Sequence, residues 1–228
     1  MPNPAARGSE TRSANMAARR ERILDTARRI IALDGFDSLN LRELALAADV
    51  TVPTIYNLIG NKAALIEALF DETITPFENL QYIAGDDDPV SSPADFLEKV
   101  VTAMRENENY YRAEFLARER LTETGDAVAV AIHERIVQIA IEACEQAKTV
   151  GLTAGRLSSR QLGLMIAEHF VLAYRDWAHS KISLDAFQNR VSTGAYVCLA
   201  ADATPNYRNK ILKKLNELDL SKAVVSLN

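Results

Sequence analysis

The sequence lacks most of what an exported or membrane-spanning protein of this size needs. Only two of its 228 residues are cysteines, Cys144 and Cys198, which fits free thiols in a reducing compartment better than disulfide staples. No stretch approaches the ~18 uncharged apolar residues that span a bilayer. The polar, arginine-bearing N-terminus has no apolar core of a signal peptide. We therefore expect a cytoplasmic protein that does not bind membranes.

The sequence also lacks the residue patterns typical of catalytic, metal and cofactor sites. The three histidines, His133, His169 and His179, do not show the spacing of metal ligands, such as two histidines four residues apart beside an acid. Neither cysteine lies in a Cys-x-x-Cys pair, and both the Gly-x-Ser-x-Gly turn and glycine-rich phosphate loops are absent. We expect no enzyme, no metal site and no cofactor.

Charge is unevenly distributed along the chain. The net charge of −5 argues against indiscriminate binding to nucleic acids. Residues 1–62, however, hold nine Lys and Arg against seven Asp and Glu, whereas the rest holds 17 against 24. A mildly basic head on an acidic body is compatible with a protein that presents one end to DNA.

Residues 1–18 show no apolar periodicity and predict a disordered arm, whereas a helical pattern begins at Arg19. Apolar side chains three and four residues apart continue to Asp34, and Gly35 is placed to end this helix. A second, short helix is predicted to begin at Asn40, a good cap residue.

The third helix is predicted at Thr51, with Pro53 in its first turn, where the missing N–H costs nothing. The fourth is predicted from Asn61, and Pro76 is expected to disrupt or end it. A polar loop follows at residues 85–93. Beyond the loop, helices are predicted near 93–107, 109–123, 126–149, 158–180, 183–202 and 205–219. The fold class is all-α.

The most informative stretch is a pair of short amphipathic helices joined by residues 48–50, the length of turn that a helix-turn-helix requires. Small Ala45 allows the helices to approach closely, Val50 fills the gap in the turn, and Ile55 points back at the first helix. The outer positions carry short polar and methyl-bearing groups that suit base edges and phosphates, and no carboxylate occurs between Thr51 and Ala64.

These residues strongly resemble the DNA-binding domain of the TetR family of transcriptional regulators, over about residues 19–66. The resemblance depends on the joint occurrence of Gly35-Phe36, the Thr54-Ile55-Tyr56 step and the following Lys62. One departure is Asp49, which stands in the turn where the family usually has glycine. Asp tolerates a left-handed backbone better than most residues, so we expect the turn to form.

The resemblance implies a chain with two functional parts: a three-helix helix-turn-helix domain at 19–66 and a larger helical effector-binding and dimerisation domain at 67–228. Tyr56 and Lys62 would clamp phosphates of operator DNA, and Arg42 would touch the backbone or a base, although it could instead pair with an acid on a helix surface. The predicted DNA-binding residues are Arg42, Thr51, Val52, Pro53, Thr54, Tyr56, Asn57 and Lys62.

The family's last long helices form a dimer interface, and the helices predicted at 158–180 and 183–202 are apolar on more than one side. A homodimer is therefore expected, with a monomer core as the alternative. The predicted interface comprises Leu164, Val171, Leu172, Val191, Gly194, Ala195 and Cys198.

A small-molecule effector is expected between the fourth helix and the middle helices, in a mainly apolar site. Most of the candidates fit ordinary core better than a ligand site, and a hydrogen-bonded core histidine is the alternative for His169. The candidate lining residues are Phe96, Val100, Met104, Tyr111, Phe115, His133, Met165, His169 and Phe170.

The function expected is a DNA-binding transcriptional regulator, a repressor that its effector releases from DNA. Two other readings remain open. One is an effector-independent DNA-binding protein with a structural or partner-regulated role, and the other is a protein-interaction module whose helix-turn-helix does not touch DNA.

Overall fold

The structure, a computed structural model, describes the backbone of residues 4–78, 100–123 and 127–218. The described residues are almost entirely helical, and their only extended pairing is an isolated bridge between Thr153 and Ala203. The predicted all-α class is confirmed. The helices are α1 (Pro4–Asp34), α2 (Leu41–Ala47), α3 (Val52–Leu58), α4 (Lys62–Glu78), α5 (helical over 100–106), α6 (Glu108–Glu123), α7 (Ala127–Thr149), α8 (Ser159–Ala178), α9 (Leu184–Asp202) and α10 (Pro205–Glu217).

The helix α1 starts much earlier than the sequence predicts, at Pro4 rather than Arg19. The expected disordered arm over residues 1–18 is therefore wrong for the described part, residues 4–18. Alanine, arginine and glutamate favour the helix intrinsically, so a helix can form here without an apolar stripe. Residues 13–19 are all exposed, which explains why periodicity gave no signal.

Both short helices carry an N-cap, the predicted one at Asn40 and a further one at Thr51, the residue predicted to begin the third helix. The Asn40 side chain accepts a hydrogen bond from the backbone N–H of Arg42 (2.8 Å), and the Thr51 hydroxyl accepts one from the N–H of Thr54 (3.3 Å). Both bonds satisfy N–H groups that have no partner inside their own helix. Asn61 caps α4 in the same way, by accepting from the N–H of Ala64 at 2.9 Å.

Pro76 does not end α4 where the sequence suggests, because the helix continues to Glu78. A proline inside a helix removes one hydrogen bond of the ladder and its ring crowds the carbonyl four residues earlier, yet the helical backbone here runs two residues past it.

The chain divides into two compact units. Residues 1–73 and 109–129 form the first unit, and residues 74–108 and 130–228 form the second. The chain passes from one to the other inside α4. The first unit is larger than the predicted domain at 19–66 because α6 belongs to it: Tyr110 is buried in the same apolar cluster as Ile23, Leu44 and Leu69.

The second unit is organised by α8 and α9. Trp177 and Phe187 are fully buried and lie 6.2 Å apart between ring centroids, beside Tyr174. A second apolar cluster joins α9 to α7 and α10 through Cys144, Tyr196 and Ile211. Gly163 of α8 lies directly against the backbone of Ile141 of α7. A Cβ added at Gly163 would be only 2.6 Å from the Ile141 Cα, so a glycine permits this close approach.

Buried Asp202, the last residue of α9, holds the turn before α8. Its carboxylate accepts from the N–H groups of Gly155 (2.9 Å) and Arg156 (3.0 Å), and its carbonyl accepts from the N–H of Ala154 (2.7 Å). Gly155 has a φ of +76°, a left-handed value that favours glycine.

We predict that Asp202→Ala lowers the free energy of unfolding by about 2 kcal/mol, because two backbone N–H groups lose a charged acceptor. Urea unfolding followed by fluorescence measures this, since Trp177 is the only tryptophan of the chain and is fully buried. Glu217→Ala, at an exposed i,i+3 pair with Lys214, is the matched control and should change stability by less than ~0.5 kcal/mol. Equal stability of Asp202→Ala and the control would contradict this role.

Candidate nucleic-acid interface

The turn between α2 and α3 has the geometry of a helix-turn-helix. Asp49 adopts a left-handed φ of +53°, as expected for the residue that replaces glycine. The N–H of Val50 donates to the carbonyl of Ala45 (2.9 Å), and the Val50 side chain packs against the core. Ala45 and Ile55 are both buried, so the two helices meet closely through one small and one branched side chain.

The recognition helix α3 has a buried side and an exposed side. Ile55 is fully buried, whereas Tyr56 exposes 55% of its surface and Thr51, Pro53 and Asn57 are also exposed. Aromatic side chains are usually largely buried, so the exposure of Tyr56 leaves its ring and its hydroxyl accessible to a partner.

Two of the predicted DNA-contact residues are less available than the others. Val52 and Thr54 are half-buried, and Val52 packs against the core of the first unit. The hydroxyls of Thr51 and Thr54 lie 2.8 Å apart and hydrogen-bond to each other. This pairing fixes both side chains at the start of α3, while each hydroxyl oxygen can still accept or donate a second bond.

Lys62 stands at the first position of α4. Its Nζ lies 4.3 Å from the centroid of the Phe36 ring, and partial burial lowers the pKa of the ammonium. The ring orients the ammonium by a cation–π contact without neutralising it. A partly desolvated cation beside the N–H groups of a helix N-terminus is well suited to hold an anion such as phosphate.

Arg42 lies in the first turn of α2 and is exposed. No ion pair to its guanidinium occurs within the described ranges, and its contact with DNA stays a prediction. Arg42, Tyr56 and Lys62 all belong to the first unit, as do the remaining predicted DNA-contact residues.

Sequence reasoning did not single out Arg22 as part of this site. Its guanidinium donates to the backbone carbonyl of Asp49 (3.3 Å) and so ties α1 to the turn before α3. Arg20 and Arg28 both pair with Glu72 and tie α1 to α4. No periodicity signal distinguishes these arginines from a solvated charged face, because their partners are 27 to 52 residues away in the chain.

A buried ion pair was also missed. Glu114 and Arg118 of α6 are both buried, with 2.6 Å between the Arg118 Nε and the Glu114 Oε1. Burial raises the pKa of Glu114, and the guanidinium opposes that rise. The guanidinium carbon of Arg118 lies 5.2 Å from the Phe70 ring centroid and 5.3 Å from that of Phe115. The i,i+4 spacing on α6 was a visible signal, but it is equally typical of exposed pairs.

The candidate effector residues fall in different environments. Tyr111 and Phe115 belong to the first unit, where Tyr111 packs edge-on against Tyr110 (5.2 Å). Met104 is buried and Val100 half-buried in the second unit, and Phe96 lies outside the described residues. Met165 exposes more than half of its surface, and His133 lies 3.4 Å from the Glu168 carboxylate at the surface.

His169 and Phe170 have identified partners within the second unit. The Nε2 of His169 donates to the carbonyl of Arg190 (2.9 Å), so the alternative of a hydrogen-bonded core histidine describes the observed contact. Phe170 packs edge-on against Tyr174 and Phe187, at centroid distances of 5.8 and 5.7 Å. Both side chains therefore already have a packing role in the chain.

The residues predicted for the dimer interface separate into two groups. Leu164 and Leu172 are exposed on α8, Val171 and Cys198 are half-buried, and Met165 and Val197 add further exposed apolar surface. Val191 and Ala195 are buried in the single chain, and an added Cβ at Gly194 would overlap the His169 ring. Val191 and Ala195 therefore pack inside the chain and Gly194 lies against His169 of α8, while the dimer interface itself stays a prediction.

The two thiols are free. Burial raises the pKa of Cys144 to about 12, with smaller contributions from Cys198 and Glu145, and burial also raises the pKa of Cys198. Burial therefore disfavours the thiolate, the nucleophilic form, at both positions. The described ranges contain no cluster of three or more metal-ligating side chains. Within those ranges, every helix is too short or too polar to cross a bilayer.

Comparison with known proteins gives one family match and many structural ones. Residues 23–69 match the family of bacterial regulatory proteins, tetR family. None of the curated proteins matches the chain.

Several solved structures share the fold at low sequence identity. SmeT, the repressor of the multidrug efflux pump SmeDEF of Stenotrophomonas maltophilia, superposes with a TM-score of 0.64 and 19% identity over 82% of this chain and 92% of its own. NalD of Pseudomonas aeruginosa, the secondary repressor of the MexAB-OprM multidrug efflux pump, gives 0.57 and 21% over 81% and 96%. A regulatory protein TetR from Rhodobacter sphaeroides gives 0.57 and 14% over 80% and 98%.

We predict that Gly194→Ala lowers the free energy of unfolding by about 1–3 kcal/mol, since the new methyl group overlaps the His169 ring. His169→Ala should remove most of that cost in the double variant, and a double-mutant cycle by urea unfolding measures the coupling. If Gly194→Ala left stability unchanged but dissociated a dimer, the assignment of Gly194 to the interior would be wrong.

Proposed function

We propose that this chain, whose residues 23–69 belong to the tetR family of bacterial regulatory proteins, is a dimeric repressor of transcription that a small, mainly apolar effector releases from its operator. The observation that carries the proposal is the composition of the exposed side of α3. This side presents hydroxyl, amide and phenol groups without a carboxylate, beside the partly desolvated ammonium of Lys62.

Each part of this surface has a distinct task in DNA binding. Tyr56 and Lys62 bind phosphates on either side of the major groove and set the position of α3. Thr51, Pro53 and Asn57 reach base edges, where methyl and amide groups can distinguish thymine and adenine. Arg42, at the start of α2, binds a further phosphate and adds to the salt dependence of binding.

The exposed apolar surface of α8 and α9 supports dimerisation. Leu164, Leu172 and Val197 each expose more than a third of their surface, and Leu164 and Leu172 are two helical turns apart on one side of α8. A second copy related by a two-fold axis would cover this surface and present two recognition helices to a two-fold symmetric operator.

Release by an effector requires that ligand binding change the spacing of the two recognition helices. The helix α4 carries Lys62 at its start and passes into the second unit after Thr73. It is therefore the element through which a movement in the second unit can reach the DNA-binding residues of the first. A coupling of ~1–3 kcal/mol between the effector and DNA is typical of such linkage. SmeT and NalD, which share the fold, are repressors of multidrug efflux pumps, and this supports the repressor role.

We predict that Lys62→Ala and Tyr56→Phe each weaken binding to the DNA upstream of the protein's own gene. Loss of one phosphate contact per subunit should lower the affinity of either variant by roughly tenfold or more. Lys62→Ala removes a charge and should also reduce the slope of log K against log salt by ~2 for the dimer, whereas Tyr56→Phe removes an uncharged hydroxyl and should leave that slope unchanged. Fluorescence anisotropy over a series of salt concentrations measures both quantities.

Lys213→Ala is the control for this experiment, because it removes the same charge from an exposed position of α10 in the second unit. It should bind as the unaltered protein does. Equal, salt-insensitive binding of all variants to any DNA would sink the operator-binding proposal.

We predict that Leu172→Glu converts the dimer into monomers, since it places a charge in the apolar surface that the second copy covers. Sedimentation velocity measures the change. Leu33→Glu, at a leucine on α1 that is 82% exposed, is the matched control and should remain dimeric. A dimer that survives Leu172→Glu would show that another surface joins the copies.

A further inference from the structure

The N-terminal part of α1 extends well beyond the core of the first unit. Packing against that core begins at Ile23, whereas the helix begins at Pro4. At 1.5 Å per residue, residues 4–19 add ~24 Å of helix. Residues 13–19 are exposed on every side, so packing against this unit does not explain why the segment is helical. We call residues 4–19 the N-terminal extension.

The contacts of α1 place the origin of this extension beside the recognition helix. Arg22 donates to the carbonyl of Asp49, two residues before Thr51 caps α3. Just beyond the other end of α1, the ring of Phe36 lies against Lys62 at the start of α4. The core part of α1 thus runs from the beginning of α3 to the beginning of α4. The N-terminal extension departs from the end where α3 begins.

The N-terminal extension is positively charged, as is typical of segments that bind an anionic polymer such as DNA. It contains Arg7, Arg12 and Arg19 against a single acid, Glu10. Arg12 and Arg19 are seven residues apart, two helical turns, so their Cα atoms lie on the same side of the helix. Arg19 is exposed and forms no ion pair within the described ranges, whereas its neighbours Arg20 and Arg22 are engaged by Glu72 and Asp49.

We propose that the N-terminal extension binds the phosphate backbone of the DNA that flanks the site read by α3, through Arg12 and Arg19. The inference rests on the proposed DNA-binding function and adds a contact outside the helix-turn-helix. A length of ~24 Å corresponds to about seven base pairs at 3.4 Å per step. Because phosphates carry no sequence information, this contact adds affinity and lengthens the footprint without changing which sequence is preferred.

The test compares the full-length protein with the double variant Arg12→Ala/Arg19→Ala on two duplexes from its own upstream region. The short duplex contains only the two half-sites read by the two copies of α3. The long duplex extends ~10 base pairs further on each side. On the long duplex, the double variant should bind roughly tenfold or more weakly. Its salt slope should be less steep by ~3–4, since a dimer loses four phosphate contacts at ~0.9 each. On the short duplex the two proteins should bind alike.

Arg156→Ala/Arg160→Ala is the matched control, because it removes two exposed arginines from the second unit. It should bind both duplexes as the unaltered protein does. Circular dichroism checks that the alanine variant keeps its helix content, as alanine is the better helix former.

The outcomes separate this inference from the function on which it rests. If the unaltered protein selects no DNA, the proposed function fails. If it binds tightly but the double variant shows the same affinity and salt slope on the long duplex, the inference alone is overturned. An equal loss on both duplexes, or dissociation of the dimer in sedimentation, would also overturn it, because the arginines would then act within the core site or between copies.

Discussion

The close packing of α2 against α3 is the constraint on which the rest of the candidate site depends. Ile55 is fully buried and Ala45 is buried in the same apolar cluster, and the chain turns between their two helices within a few residues. That turn requires one residue with a left-handed backbone conformation, and Asp49 adopts it with a φ of +53°. Once Ile55 points inward, the helical period sends Tyr56 and Asn57 outward, so the exposed chemistry of α3 is a consequence of its buried contact.

The surrounding contacts hold this arrangement in place from three sides. Arg22 fixes the turn to α1, the Asn61 cap fixes the start of α4, and the Phe36 ring orients Lys62 next to it. The polar groups that would meet DNA therefore stand on elements that are tied together by these contacts. Such preorganisation lowers the ordering cost of binding, which is otherwise of the order of 1 kcal/mol for each immobilised side chain.

Local signals in the sequence predicted what depends on neighbouring residues. The cap Asn40, the left-handed Asp49 and the inward Ile55 each follow from a pattern within a few positions, and the structure has all three. Features that depend on distant partners were not predictable in this way. Val191 and Ala195 are apolar and helical in either role, and only the tertiary crossing of α8 and α9 shows that they are interior. The start of α1 at Pro4 was not predicted, because a helix that is exposed on every side shows no apolar periodicity in its sequence.

The central claim is that two copies of α3 read a two-fold symmetric DNA site. Selection of bound duplexes from a random pool by the purified protein, followed by sequencing, tests it most directly. The account predicts enrichment of an inverted repeat whose half-sites are centred ~34–36 Å apart, or one helical turn. Enrichment of an asymmetric sequence, or of no sequence at all above the starting pool, would contradict it.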